Sequence, residues 1–244
     1  VKLPQGLSSC GTSFVFFASM KWTLLITLFT VFIATSQNTS SQLNVVDFET
    51  AKVDILLDEN STEVKGNVTY RINILNDTPS IFLDAKNLVS YTATLNNKEV
   101  KVIYNGETIT IQHPFKSGTS QQLHVSFTSY PSKAMYHIDE DDDRKWDQLW
   151  TQGQGKYTSN WLPSIDNMND KITWSLQITA PDDKTVIANG KLEKMQPSTS
   201  QKIWTYQMEN PMSSYLLAIA VGDYQVKKEI SLSGVPLEFY YYAG

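Results

Sequence analysis

The sequence predicts an all-β protein built from packed antiparallel sheets, and three observations carry that prediction. From Lys52 onward, apolar and polar residues alternate with a period of two. Asn-rich dipeptides of the kind that close tight hairpins punctuate the alternation. Few stretches of any length show helical periodicity.

The clearest strand lies at 68–74. Val68, Tyr70, Ile72 and Ile74 alternate with Thr69, Arg71 and Asn73, which sends apolar side chains to one face and polar ones to the other. Asn96-Asn97 separates an alternating segment at 91–95 from another at 100–103, and Asn105-Gly106 separates that one from 108–111. Both dipeptides read as hairpin turns, because Asn and Gly tolerate positive φ. The pattern returns at 123–127, 172–178, 186–188, 204–208 and 237–242. Residues 215–221 differ: they form a continuous apolar run closed by Gly222, the signature of a strand buried on both faces. No internal repeat is visible.

At 244 residues the chain can bury a sizeable core. Its formal net charge of −5 leaves no clustered Lys and Arg footprint for nucleic acid. The N-terminal pattern points to export. Met20-Lys21 is followed by an apolar and Thr-rich run at 22–33 and by Ala34-Thr35-Ser36, the order of a signal peptide with cleavage expected before Gln37. Residues 1–19 are expected to lie upstream of the initiator Met20. Joined to the apolar 14–18, the run approaches spanning length, but Lys21 would then sit mid-membrane at a cost of about 3 kcal/mol, so no stable span is expected. Cys10, the only cysteine, falls in the upstream segment, leaving the expected mature chain no disulfide or thiolate ligand. After a polar linker at 37–42, residues 37–244 are read as one β domain.

One segment carries a resemblance. Trp150-Thr151-Gln152-Gly153-Gln154 leads into Asn160-Trp161-Leu162-Pro163-Ser164-Ile165-Asp166, then Asn167-Met168-Asn169-Asp170-Lys171 and a strand. Upstream lies Met135-Tyr136 within 131–138. Downstream come Asn189-Gly190 and then Pro211-Met212-Ser213-Ser214-Tyr215-Leu216, followed by Ala220-Val221-Gly222-Asp223-Tyr224. In order and spacing these resemble the N-terminal domain of the zinc aminopeptidases of the aminopeptidase N and leukotriene hydrolase family, over 45–242. The resemblance implies a saddle-like β-sandwich of antiparallel and mixed sheets. It also implies an exported, zinc-dependent aminopeptidase that removes N-terminal residues from peptides, with the zinc in a catalytic domain that these residues do not include.

The first motif has a physical rationale. An aminopeptidase must hold its substrate's α-ammonium while a zinc-bound water attacks the first peptide carbonyl, and fixed acceptors on a rigid strand orient that ammonium. The resemblance implies that Gln152 lines the pocket for the first residue and that Gln154 contacts the amine. Most classical members have Glu at the second position. A neutral amide, as in the leukotriene hydrolase branch, offers a carbonyl dipole and a looser hold. The alternative is that both amides merely pair with backbone at a strand end.

Other candidates carry less. The family's zinc motif, H-E-x-x-H, sets two imidazoles one helical turn apart, whereas His113, His124 and His137 have no such spacing, so no metal or other cofactor is expected in this chain. Met208-Glu209-Asn210 matches the end of the family's G-x-M-E-N motif, but Tyr206 replaces its Gly and the triplet runs into Pro211, so it reads as strand. The acidic run 139–143 lacks the Gly and spaced ligands of a calcium loop. Asn38, Asn60, Asn67 and Asn76 head N-x-S/T sequons. Asp166 is expected to hold its turn by accepting backbone N–H groups, with Lys171 pairing to it or to Asp170. A reading from a different class remains open: six Trp and twelve Tyr would suit a non-catalytic secreted β-sandwich that binds peptide or carbohydrate.

Overall fold

The computed structural model describes residues 42–139, 142–143 and 146–242. The expected signal peptide, the segment before it, Cys10, Asn38 and part of the acidic run lie outside the described residues.

Seventeen strands are described. The first eight are β1 (Val46–Leu57), β2 (Val64–Ile74), β3 (Thr78–Asp84), β4 (Leu88–Leu95), β5 (Lys98–Glu99), β6 (Lys101–Tyr104), β7 (Thr108–Phe115) and β8 (Ser120–Ser129). Then come β9 (Met135–Ile138), β10 (Gln148–Thr151), β11 (Ile172–Pro181), β12 (Thr185–Ala188) and β13 (Lys191–Ser198). The last are β14 (Gln201–Met212), β15 (Ile219–Gly222), β16 (Gln225–Ile230) and β17 (Pro236–Tyr241). Two single-turn 3₁₀ segments, Thr158–Asn160 and Ser214–Leu216, are the named helical elements. The all-β prediction holds.

Eight strands form one sheet in the order β13-β14-β11-β1-β2-β8-β4-β5. It is mixed because β1 pairs antiparallel with β2 but parallel with β11. The period-two alternation becomes rows of buried side chains across the strands. Leu176, Val53, Val68, Val125 and Ala93 stand in successive register, and each is at most 3% exposed. Burying each larger aliphatic side chain stabilises the fold by about 1.5–3 kcal/mol. Gly66 interrupts the next row for a reason of space. A Cβ there would lie 2.7 Å from the Asp54 carbonyl and 2.8 Å from Ile55 Cγ2.

Two smaller sheets, β3-β7-β6 and β12-β15-β10-β9, contribute to the same core. Ile81, Leu83, Ile109 and Ile111 from the first, and Leu149, Val186, Ile219 and Val221 from the second, join the buried cluster of the large sheet. Two buried tyrosines bond across the layers: the Tyr70 hydroxyl donates to the Pro163 carbonyl at 2.7 Å and the Tyr206 hydroxyl to the Val186 carbonyl at 2.6 Å. The hairpin β16-β17 is largely exposed.

Asn96 and Asn97 have φ of 50° and 64° and join β4 to β5 as a tight turn. At Asn105-Gly106 the Asn side chain accepts from the Glu107 and Thr108 amides at 2.9 and 2.7 Å. The reading of 215–221 as one strand is corrected. Its first part belongs to the 3₁₀ turn Ser214–Leu216, with Leu216 48% exposed, and only Ile219–Gly222 is strand. Ser213 and Ser214 hold that turn by donating to the carbonyls of Met168 and Ile165 at 2.7 and 2.6 Å.

Candidate functional site

The motif residues gather at one end of the four-stranded sheet. Strand β10 lies between β15 and β9, so its alternate residues divide between two faces. Leu149 points into the core at 0% exposure, level with Val221 and His137. Trp150 points the other way, level with Ala220 and Tyr136, and Ala220 is in turn level with Ile187. Trp150 and Tyr136 stack with ring centroids 4.5 Å apart and remain 38% and 40% exposed. The outer face of this small sheet is therefore an apolar shelf.

Gln152-Gly153-Gln154 continues β10 past its last ladder residue. Thr151 is buried, and its hydroxyl accepts the Ile219 amide at 2.9 Å. The Gln152 amide donates to the Ala134 carbonyl at 2.8 Å, which extends the contact with the segment entering β9. Exposure then alternates: Gln152 and Gln154 are exposed while Gly153 between them is buried. A Cβ at Gly153 would lie 2.4 Å from Thr158 Oγ1 and 2.7 Å from the Tyr215 carbonyl. Only a residue without a side chain lets the backbone seat so deep and turn both flanking glutamines outward. Neither amide side chain hydrogen-bonds to another described residue.

Buried polar groups back the segment. The Thr158 hydroxyl, at 0% exposure, donates to the Ser214 carbonyl at 2.9 Å. Ser164 donates to Asp166 Oδ1 at 3.1 Å, Ser214 approaches the same oxygen at 3.4 Å, and the Asp166 amide donates to Asp84 Oδ2 at 2.9 Å. Burial raises the Asp84 pKa, partly offset by that backbone donor. Asp166 thus holds its turn as the sequence suggests, but it accepts hydroxyl rather than backbone donors. Lys171 is exposed and pairs with neither Asp166 nor Asp170. Asp170 is 7% exposed, its Oδ2 has no hydrogen-bond partner, and burial, with the Asp47 charge second, pushes its pKa up to about 7. Sequence reasoning missed Thr158, and it named Ser214 within a motif without the backing role the structure gives it. A buried hydroxyl carries no signal in a single sequence, and nothing there shows that Trp150 and Tyr136, both motif residues, stack on one another.

The remaining candidates disperse. His113 packs edge-on to Phe115, with centroids 5.0 Å apart, in β7. His124 lies on the polar face of the large sheet, 2.9 Å from Thr69 Oγ1 and 3.3 Å from Ser126 Oγ. His137 is half-buried beside Trp146, and burial pushes its pKa down to about 4. Among the described residues no group of three or more His, Cys, Asp or Glu could hold a metal ion. No described helix is long and apolar enough to cross a membrane. Met208-Glu209-Asn210 lies within β14, a strand as expected.

Comparison with known proteins fits this geometry. The family described as the peptidase M1 N-terminal domain matches residues 45–216. The chain is 23% identical over 188 residues to leukotriene A-4 hydrolase of Xenopus laevis, covering 70% of this chain and 31% of that protein. It is 24% identical over 195 residues to leucine aminopeptidase 2 of Yarrowia lipolytica, covering 75% and 30%. An M1 zinc metallopeptidase from Deinococcus radiodurans superposes with a TM-score of 0.69 at 16% identity, over 80% of this chain and 46% of that one. The chain thus spans less than a third of those two curated relatives and under half of the solved structure.

Proposed function

Because the chain belongs to the peptidase M1 N-terminal domain family, we propose that it is the substrate-cleft domain of an exported, zinc-dependent aminopeptidase that removes N-terminal residues from peptides. One observation carries the reading: two exposed amide side chains, Gln152 and Gln154, with no hydrogen-bond partner among the described residues, flank a glycine sunk into the fold at the end of a strand. Amide carbonyls held this way are acceptors open to an incoming donor. A peptide's α-ammonium is a cationic donor that such a carbonyl dipole can accept from. Gln154 takes the ammonium and Gln152 walls the pocket of the first side chain.

The described residues do not fit a zinc site, since the three histidines lie on β7, β8 and β9 with no clustered carboxylates. The metal and the groups that activate water belong to a catalytic domain elsewhere in the same polypeptide, and no step is derived through them. This domain's share is to bind the substrate's N-terminus and orient it. The apolar shelf of Tyr136, Trp150, Ile187 and Ala220 is where that catalytic domain docks, which explains half-exposed aromatics beside the site. The signal-peptide pattern around 20–36 supports export.

Two experiments test the proposal. Reading the gene past codon 244 should find an open frame that reaches H-E-x-x-H; a stop codon before it would favour the non-catalytic binding module, with the stacked pair as its platform. In the encoded enzyme, steady-state kinetics on an aminoacyl-anilide should show Gln154→Ala lowering kcat/KM about tenfold to a hundredfold, the loss of one charge-assisted hydrogen bond of roughly 1.5–3 kcal/mol. Gln154→Glu should be tolerated and Gln152→Ala should cost less. Wild-type kinetics from a well-folded Gln154→Ala enzyme would refute the assignment.

A further inference from the structure

Asp170 is the one carboxylate among the described buried side-chain atoms that lack a hydrogen-bond partner. Buried carboxylates are paired or hydrogen-bonded, yet Asp170 Oδ2 is sealed from solvent with no partner. The nearby titratable groups offer no cation. From β1 comes the like charge of Asp47, and from β2 the Tyr70 hydroxyl, already committed to the Pro163 carbonyl. On the same loop Asp166 is another acid, and Lys171 points to solvent. The cavity beside the 168–171 turn is completed by Pro211, Met212, Ser213 and Tyr215, none of them charged at neutral pH.

The turn that carries Asp170 is lightly held. The Asp170 amide donates to the Asn167 carbonyl at 3.1 Å, the Asn169 amide to Asn167 Oδ1 at 3.0 Å, and Ser213 Oγ to the Met168 carbonyl at 2.7 Å. Met168 and Asn169 are exposed. An outward swing of 167–171 is thus the least costly way to hydrate an ionised Asp170, and it breaks the Ser213 bond. Ser213 leads directly into the 3₁₀ turn Ser214–Leu216, whose Tyr215 carbonyl backs Gly153 between the two glutamines.

We propose that Asp170 is a proton-operated pin: protonated, it keeps the 167–171 turn docked on Ser213; ionised, it releases the turn and loosens the backing of Gln152-Gly153-Gln154. The pin does not depend on what the two glutamines bind. Its working range is set by the burial that moves its titration to about pH 7. Because the folded-state pKa lies above the unfolded value of 3.8, the folded state holds the extra proton. Stability therefore falls as pH rises from about 4 to 7 and levels off above that.

The experiment is hydrogen exchange and thermal melting of the full chain between pH 5.5 and 8, wild type against Asp170→Asn. After correction for intrinsic rates, wild-type amides at 168–171 and 213–217 should lose protection roughly tenfold across this range, while the same amides of Asp170→Asn keep theirs. Its Tm should fall by roughly 5–10 °C more than that of Asp170→Asn. Equal pH dependence in the two proteins would overturn the proposal. Should Asp170→Asn fail to fold, carbon-detected titration of the wild-type carboxyl decides: a midpoint near 7 supports the pin, and a midpoint near 4 rejects it.

Discussion

Replacing Gly153 with Ala tests whether the site is held by close packing against its backing turn. The new Cβ would stand 2.4 Å from Thr158 Oγ1, 2.7 Å from the Tyr215 carbonyl and 3.0 Å from Tyr215 Cα. Two of those three atoms are backbone and cannot rotate away. The third is a fully buried hydroxyl already committed to Ser214, and moving it sacrifices a hydrogen bond worth about 0.5–1.5 kcal/mol. Overpacking of this kind adds about 1–3 kcal/mol, so the total loss is about 2–4 kcal/mol. Urea unfolding followed by tryptophan fluorescence should show the midpoint shifted with the slope unchanged, and Tm should drop by roughly 5–15 °C. Adding Thr158→Ala removes one of the three clashes, so the double variant should lose at least about 0.5 kcal/mol less than the sum of the singles. A Gly153→Ala protein within about 0.5 kcal/mol of wild type would refute the reasoning, because the segment would then have room that the structure denies it.

The other outcomes follow from burial. Burial pushes the His137 pKa down from 6.5 to about 4. The imidazole is held neutral, and its contribution is lost as pH falls from 6.5 through 4. His137→Phe should retain up to about 3 kcal/mol at pH 4 that the wild type loses relative to pH 7, and parallel acid melts of the two would check this. The shelf predicts hydrophobic-dye binding by the full chain. Replacing Trp150 and Tyr136 together with Ser should abolish most of it at a cost of only about 1–2 kcal/mol, since both rings are already more than a third exposed; dye binding that persists unchanged would move the apolar surface elsewhere.

Much of this fold was legible in the sequence wherever structure is local. The alternation at 68–74 and the Asn96-Asn97 turn are dictated by the two-residue repeat and by the tolerance of Asn for positive φ, and both appear as read. What escaped is non-local. The run 215–221 reads as one strand because composition cannot register that Ser213 and Ser214 will reach carbonyls nearly fifty residues upstream and bend the chain first. The Asp166–Lys171 pairing looked natural from adjacency, but burial sends Asp170 inward and leaves Lys171 in water. The outward turn of Gln152 and Gln154 follows from strand alternation. Their lack of partners, and the hydroxyls that fix the turn beneath them, required the fold.

Strand β1 has two unlike neighbours, and this has a consequence for how the chain is made. It is the seam between residues 64–129, which supply β2, β4, β5 and β8, and residues 172–212, which supply β11, β13 and β14. A hairpin gives β1 its first partner once residue 74 is reached, but its second edge stays bare until residues 172–181 have been synthesised. For about a hundred residues of elongation this strand of the nascent chain is a half-occupied template, open to any extended segment that arrives before its own.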